Sequence, residues 1–401
     1  MKKTKRYYEF GDFLRDLFKF KVQKISINAG FTCPNRDGSK GWGGCTYCNN
    51  QTFSPEYCHT EKSVTEQLEE GVRFFSRKYP DMRYLAYFQA YTNTYDRLDS
   101  LIRKYEEALA YPGVEGLIVG TRPDCMPEGL LDYFAELSQR KFVMIEYGLE
   151  STLDKTLVRI NRGHTHEESE SAIRHTAAKG IYTGAHLILG LPGESRDEIL
   201  HHADVLSRLP ITTLKLHQLQ LIKNTRMAKE FKEDPSDFHL YTADEYIELV
   251  IDFIERLNPS IVVERFVSQS PKELLIAPDW GLKNFEFTAK VNKRIEERDT
   301  RQGRLFQVYG DITIKGNSLF IHGCHIDCHR AIRIDFHPKH VYILFGLYTE
   351  LDFGTTFLFR GLLLLCRHFF KRQALSTTIR SRVSTSKVRK IRQDRVTMYF
   401  Q

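Results

Sequence analysis

No apolar run in the 401 residues approaches the roughly 20 needed to cross a bilayer. The most apolar stretches, VYILFGLY (341–348) and FLFRGLLLLC (357–366), are short, and Arg360 interrupts the second. The amino-terminal MKKTKRYYEFGDFL is basic but lacks an apolar core and a cleavage site, so it does not read as a secretory signal. A cytoplasmic protein with no membrane partner is therefore expected. A broad excess of positive charge is also missing from most of the chain. The formal +7 is concentrated after residue 305, where 15 Lys and Arg face 6 Asp and Glu. The preceding 305 residues hold 43 against 45 and carry −2, which does not advertise an extended nucleic-acid surface. Disulfides are not expected either. Eight cysteines without an export signal point to a reducing compartment, where clustered thiols serve metal or redox chemistry.

What the sequence does have is a rhythm. Short β-rich runs stand at 22–28, 83–89, 115–121, 142–148, 184–190 and 213–221. Segments of helical period lie between most of them, at 63–79, 96–110, 128–140, 165–180 and 195–209. A strand every 25 to 35 residues with a helix between implies βα units and a parallel sheet or barrel, with chemistry at the strand ends. Two further helices are expected at 241–257 and 284–298, and IVVERF (261–266) is a candidate extra strand. No repeat beyond this rhythm is visible.

The first strand runs into FTCPNRDGSKGWGGCTYCNN (31–50), which holds Cys33, Cys45 and Cys48 in a glycine-rich loop. Glycine permits the positive φ and close backbone approach that a loop wrapped around a metal requires. A structural zinc site would need a fourth ligand, for which Cys58 or His59 is available. A cubane iron–sulfur cluster held by three thiolates would leave one iron open. Spacing alone does not separate the two.

Tyr47, immediately before the third cysteine, and the motifs KVQKISINAGFTCPNRDG, GGCTYCNNQTFSPEY, YFQAYTNTY, VGTRPDCMPE, IEYGLEST, INRGHTHEE, HLILGLPGE, LKLHQLQLIKNT, LLIAPDW and RDTRQG carry a resemblance that spans residues 5 to about 305. The sequence resembles the radical S-adenosylmethionine (SAM) superfamily, in its YhcC/YtqA-like family. That family resembles the radical-SAM domain of the Elongator catalytic subunit, which shares the TRPD and RGHT runs. The resemblance implies an α/β fold: a partial (βα)6 TIM-type barrel of the radical SAM type, a C-terminal helical extension and an irregular basic tail. It implies a radical SAM enzyme that reductively cleaves SAM at a 4Fe–4S cluster and abstracts hydrogen from its substrate.

By position in the superfamily, Cys33, Cys45 and Cys48 are the cluster ligands, and Tyr47 packs near the adenine. Gln89 and Thr92, after the second strand, are candidates for holding the methionine amine. Glu150 stands where relatives place an amide against the SAM ribose, and Arg162 is similar to an arginine that pairs with the SAM carboxylate. His186 is a candidate ribose contact, and Gly190 with Pro192 and Gly193 forms a turn near the cofactor. Arg122 and Asp124 are expected as an ion pair. Cys125 is a minor candidate for substrate handling, and Asp279 and Trp280 for covering the barrel mouth. A reducing partner such as flavodoxin or ferredoxin is implied, and tRNA, through a wobble uridine, as a substrate class.

Three regions are expected: the barrel at 1–225, an extension closing one side at 226–305, and a basic tail at 306–401. In the tail, Cys324, Cys328 and His329 offer a second metal-binding possibility, and the last thirty residues read as flexible or weakly helical. The alternatives are a zinc-stabilised nucleic-acid-binding module, with Cys33, Cys45, Cys48 and Cys58 as ligands, and a non-catalytic Fe–S scaffold. If the tail lies outside the chemistry, a chain ending at Gly303 keeps both iron loading and SAM cleavage; loss of either, measured on the truncated protein, would contradict that division.

Overall fold

The apolar runs form β1 (Val22–Ile27), β2 (Arg83–Phe88), β3 (Val114–Thr121), β4 (Phe142–Glu150), β5 (Tyr182–Leu189) and β6 (Thr213–Gln218). This computed structural model describes residues 5–52, 55–76 and 81–306, and of 307–401 the backbone of five strands. The chain divides into two units, Met1–Phe306 and Gln307–Gln401. In the first unit each of the six strands pairs in parallel with its sequence neighbour. A seventh, β8 (Val262–Arg265), extends the sheet beside β6. The order β1-β2-β3-β4-β5-β6-β8 leaves β1 and β8 unjoined, so the sheet curls into a half-barrel. Two short strands, β7 (Leu221–Ile222) and β9 (Leu275–Ala277), form a separate antiparallel ribbon.

The helices follow the expected crossovers. They are α1 (Phe10–Leu17), α2 (Val64–Ser76), α3 (Leu98–Ala110), α4 (Leu130–Ser138), α5 (Asp154–Arg159), α6 (His166–Ala178), α7 (Arg196–Leu206), α8 (Arg226–Glu233), α9 (Ala243–Arg256) and α10 (Asn284–Glu297). Capping boxes start four of them, at Ser63 with Glu66, Thr165 with Glu168, Ser195 with Glu198 and Thr242 with Glu245. The short helices α1, α5 and α8 were not among the sequence expectations. Phe10, Phe13 and Leu14 do show helical spacing, but over only two turns. None of the helices among the described residues is long and apolar enough to cross a membrane.

Strand alternation separates two faces. Tyr84, Ala86 and Phe88 of β2 join the large core under the helices, while Leu85 and Tyr87 point the other way. On that inner face Leu85, Tyr87, Ile118, Phe142, Met144 and Val262 pack against Phe13 of α1. The helix therefore plugs one end of the half-barrel with an aromatic contact, Phe13 to Tyr182 at 5.6 Å between ring centroids. The segment before α1 also covers the β8 edge, where the Val263 amide donates to Tyr8 O at 2.8 Å.

In the second unit, β10 (Asp311–Lys315), β11 (Ser318–His322), β12 (Ile332–His337), β13 (His340–Phe345) and β14 (Thr397–Met398) form an antiparallel sheet in that order. Cys324, Cys328 and His329 lie outside the described residues, as do the last thirty residues apart from β14. The cut after Gly303 falls inside the first unit. The Leu305 amide donates to Glu255 O at 2.6 Å, and the Arg304 guanidinium pairs with the Glu255 carboxylate at 2.8 Å. A truncation that spares these contacts ends after Phe306.

Gly116 marks the tightest approach of β3 to β4: a Cβ there would stand 2.0 Å from the Phe142 carbonyl oxygen. That neighbour is backbone and cannot swing away. Gly116→Ala is expected to cost about 3 kcal/mol, read as a lower urea midpoint at unchanged slope; a shift within error would show that the strands can part there.

Candidate active site

The cysteine loop begins where β1 ends, at the carboxyl edge of the parallel sheet. It has little apolar substance, and segment 160–162, between α5 and α6, holds it. The Thr46 amide donates to Ile160 O at 2.9 Å, and the Asn161 amide group donates to Gly44 O at 2.8 Å. Asn35 returns a bond to Asn161 O. Arg162 then inserts between loop and sheet, donating through Nη2 to Gly148 O at 2.6 Å and through Nη1 to Cys45 Sγ at 3.6 Å. Gly148 is required for this, because a Cβ there would meet Arg162 Nη2 at 2.9 Å and Glu150 Oε1 at 2.6 Å.

Cys33, Cys45 and Cys48 are free thiols and share one cavity wall. N–H donors point at their sulfurs: Asn35 at Cys45 Sγ, 3.7 Å, and Asn50 at Cys48 Sγ, 3.6 Å, in addition to Arg162. Donors of this kind favour a sulfur that accepts, which is the thiolate. Burial, followed by the Cys45 charge, pushes the Cys48 thiol up to about 12. A bound cation would relieve both effects. Arg162 Nε is buried with no hydrogen-bond partner, leaving a guanidinium donor for an anionic group. Burial opposes the Arg162 charge, but Tyr47, Cys45 and Glu150 hold its pKa well above the usual arginine value. The donors present thus fit a cluster and the carboxylate of SAM.

The cavity has about 1200 Å³ of atom-free space, its open mouth included. It gathers the three cysteines with Tyr47, Gln89, Thr92, Glu150, Arg162 and His186. Glu150 sits at φ +71° and Tyr91, also on the wall, at φ +61°, an uncommon conformation for residues with a Cβ and one found at functional sites. Glu150 Oε1 lies 3.8 Å from Arg162 Nη2. Gln89 Oε1 accepts from Ser26 Oγ at 3.4 Å, and Thr92 is buried. His186 donates through Nε2 to Glu146 at 3.2 Å, and burial, then Lys215, draw its pKa down.

Other expectations fall elsewhere. Gly190 is not on the cavity wall; at φ +92° it faces Tyr241, 3.2 Å from where a Cβ would be. Trp280 packs on Tyr246 and Phe287, and neither it nor Asp279 reaches the wall. Cys58, the fourth thiol of the zinc alternative, donates to Ser26 O at 3.0 Å away from the cavity, and His59 does not line it either. Among the described residues, no three His, Cys, Asp or Glu converge as ligands of a single ion. Arg122 and Asp124 do form a two-pronged ion pair, both contacts 2.9 Å, and Arg122 also donates to Arg162 O at 2.7 Å.

Sequence reasoning missed the charged layer beneath. Lys24, Glu146, Lys215 and Glu264 face one another across the half-barrel. Lys215 contacts Glu146 at 2.5 Å and Glu264 at 3.1 Å; Lys24 contacts them at 3.1 and 2.7 Å. Burial works against the Glu146 charge, yet Lys215 and Lys24 hold its pKa well below the usual range. The signal was present, in charged residues within otherwise apolar parallel strands.

Two family models match the chain. The radical SAM superfamily model covers residues 30–206, and the Radical_SAM C-terminal domain model covers 211–297. YtqA of Bacillus subtilis is 35% identical over 303 residues, covering 76% of this chain and 94% of its own length. The chain belongs to the radical SAM superfamily. A tRNA uridine(34) acetyltransferase of Methanocaldococcus infernus is 24% identical over 193 residues, 46% of this chain and 34% of that protein. The structure of Elp3 from Methanocaldococcus infernus, lacking its N-terminus, shares the radical SAM fold at TM-score 0.53 and 13% identity, over 88% of this chain and 92% of that one. As a radical SAM enzyme, the protein is expected to work at the carboxyl ends of its strands, where the cysteines stand.

Removing one cation from the charged layer leaves two buried carboxylates with a single lysine. Lys215→Met is expected to lose about 3 kcal/mol, by chemical denaturation. Adding Glu146→Gln to that variant is expected to recover part of the loss; no recovery would mean that the four charges are not coupled.

Proposed function

We propose that Cys33, Cys45 and Cys48 bind a 4Fe–4S cluster and that the same cavity binds SAM. The carrying observation is that three free thiols and the unpartnered Arg162 Nε line one cavity, with N–H donors aimed at two of the sulfurs. When bound and reduced, the cluster supplies the electron that splits SAM into methionine and a 5′-deoxyadenosyl radical, which takes a hydrogen atom from substrate. The protein's own residues bind and orient. Arg162 pairs with the SAM carboxylate and steadies Cys45, while Gln89 and Thr92 serve the methionine amine. Tyr47 packs at the adenine, Glu150 accepts from the ribose hydroxyls, and His186, fixed by Glu146, stands beside them. The turn at Gly190 acts from outside, placing Leu191 and the start of α7.

Residues 1–225 are the catalytic barrel in this reading, 226–305 closes one side and contributes β8, and 306–401 is a basic appendage. A flavodoxin or ferredoxin is the reductant. The substrate class we favour is tRNA at a wobble uridine, supported by the TRPD and RGHT runs and by the partial similarity to a tRNA uridine(34) acetyltransferase. Acetyl transfer itself is not carried over, since only a third of that protein aligns.

Anaerobic reconstitution with iron and sulfide, followed by dithionite and SAM, tests the chemistry. Visible absorption of an iron–sulfur cluster and formation of 5′-deoxyadenosine are expected. Cys33→Ala, Cys45→Ala and Cys48→Ala should each lose iron, and Cys58→Ala should retain it. Tightly held zinc that depends on Cys58 would overturn the cluster assignment, and a cluster without SAM cleavage would make the protein a scaffold.

A further inference from the structure

The four charges of the buried layer cancel in pairs, two lysines against two glutamates. Arg265, next in sequence to Glu264, is outside that balance. Among the described residues no carboxylate pairs with it. Its Nη2 donates to His217 Nε2 at 2.7 Å, and its Nε is buried with no hydrogen-bond partner. A guanidinium in a protein does not give up its proton. It also cannot accept, so His217 Nε2 is the acceptor and the ring proton sits on Nδ1. Burial, then the Arg265 charge, push the His217 pKa well below its usual value. The imidazole is therefore neutral and orients Arg265 without neutralising it.

Both residues line the cavity on its β6–β8 side, at the other end of the sheet order from the cysteine loop. The wall there is pinned. Gln218 and Ser268 exchange two hydrogen bonds, side-chain amide to backbone, each 2.9 Å. Ser270 Oγ donates to Gln220 at 2.8 Å. Arg265 thus projects from a strand whose following loop is tied to its neighbour.

Of the four arginines that line the cavity, Arg36, Arg122, Arg162 and Arg265, two, Arg162 and Arg265, have a buried and unpartnered Nε. SAM brings a single carboxylate, and Arg162 is beside the cysteines to receive it. We propose that Arg265, oriented by His217, is the subsite for a second anionic group, the carboxylate or phosphate of the substrate. The assignment rests on the reading of this cavity as the radical site.

The test is calorimetric titration of the full chain, reconstituted and saturated with SAM, with inorganic phosphate and separately with acetate, at ionic strength fixed by chloride. Wild type is expected to bind at least one of them. Phosphate alone would indicate a phosphoryl group, acetate alone a carboxylate. Arg265→Gln should weaken binding about ten-fold, the loss of one charge-assisted contact. Arg265→Lys keeps the charge but not the fork, and should fall between, so the comparison survives if the glutamine variant fails to fold. Equal affinities in wild type and variants, no binding of either anion to wild type, or competition of the anion with SAM would each overturn the subsite. Failure of wild type to form 5′-deoxyadenosine would instead count against the radical reading and leave the anion titrations to be judged separately.

Discussion

The clasp between the cysteine loop and residues 160–162 is the constraint on which the site depends. Residues 31–50 are polar and rich in glycine, and such a chain has little burial to offset the entropy of holding one shape. Backbone groups of Gly44 and Thr46 answer Asn161 and Ile160, and Arg162 reaches Cys45 Sγ and Gly148 O together. Arg122 anchors the far side by donating to Arg162 O. Cysteines from a loop after β1 are in this way registered against β4, more than a hundred residues later in the chain. Glu150 and Asn161, both at positive φ, flank the same junction.

Below that junction the half-barrel is organised in layers. Apolar side chains and the α1 plug close one end, the Lys24–Glu146–Lys215–Glu264 arrangement lies inside, and the open cavity follows. Buried charges are costly unless paired. Here each lysine meets both carboxylates, and Lys215 also donates to the Tyr87 hydroxyl at 2.9 Å. The layer ties β1, β4, β6 and β8 into one electrostatic unit beneath the cavity. It fixes His186 through Glu146, and it leaves Arg265 as a surplus cation on the wall.

The strands were legible because a parallel sheet covered on one face by helices, and apolar over part of the other, needs nearly continuous apolar runs. Boundaries moved by up to three residues, as at β5, which starts at Tyr182 and not Gly184, and at β6, which ends at Gln218 and not at Leu221. Short helices escaped notice: α5 has six residues and α8 eight, too few to show a period. In the site, the cysteines and Arg162 stood out through motif and resemblance. Asn35 and Asn50 did not, since asparagine in a loop ordinarily marks a turn. Gly190 and Trp280 were placed nearer the cavity than they lie, because a glycine turn and an aromatic serve packing as readily as binding. Tyr241 fills the space over Gly190, and Phe287 stacks on Trp280.

By itself the sequence determined the strand–helix alternation, the three-thiol loop at the end of the first strand and the concentration of positive charge after residue 305. Each is a local matter of period, spacing or composition, which a linear chain displays directly. Tertiary structure alone decided which charges meet, that Cys58 is turned away to Ser26 O, and that Arg162 and Arg265 face one cavity with an unsatisfied Nε apiece. Those outcomes depend on the curl and register of seven strands, which bring side chains 240 residues apart within hydrogen-bonding distance, as with Lys24 and Glu264 at 2.7 Å. Register is set by the packing of the whole sheet, and no single strand carries it.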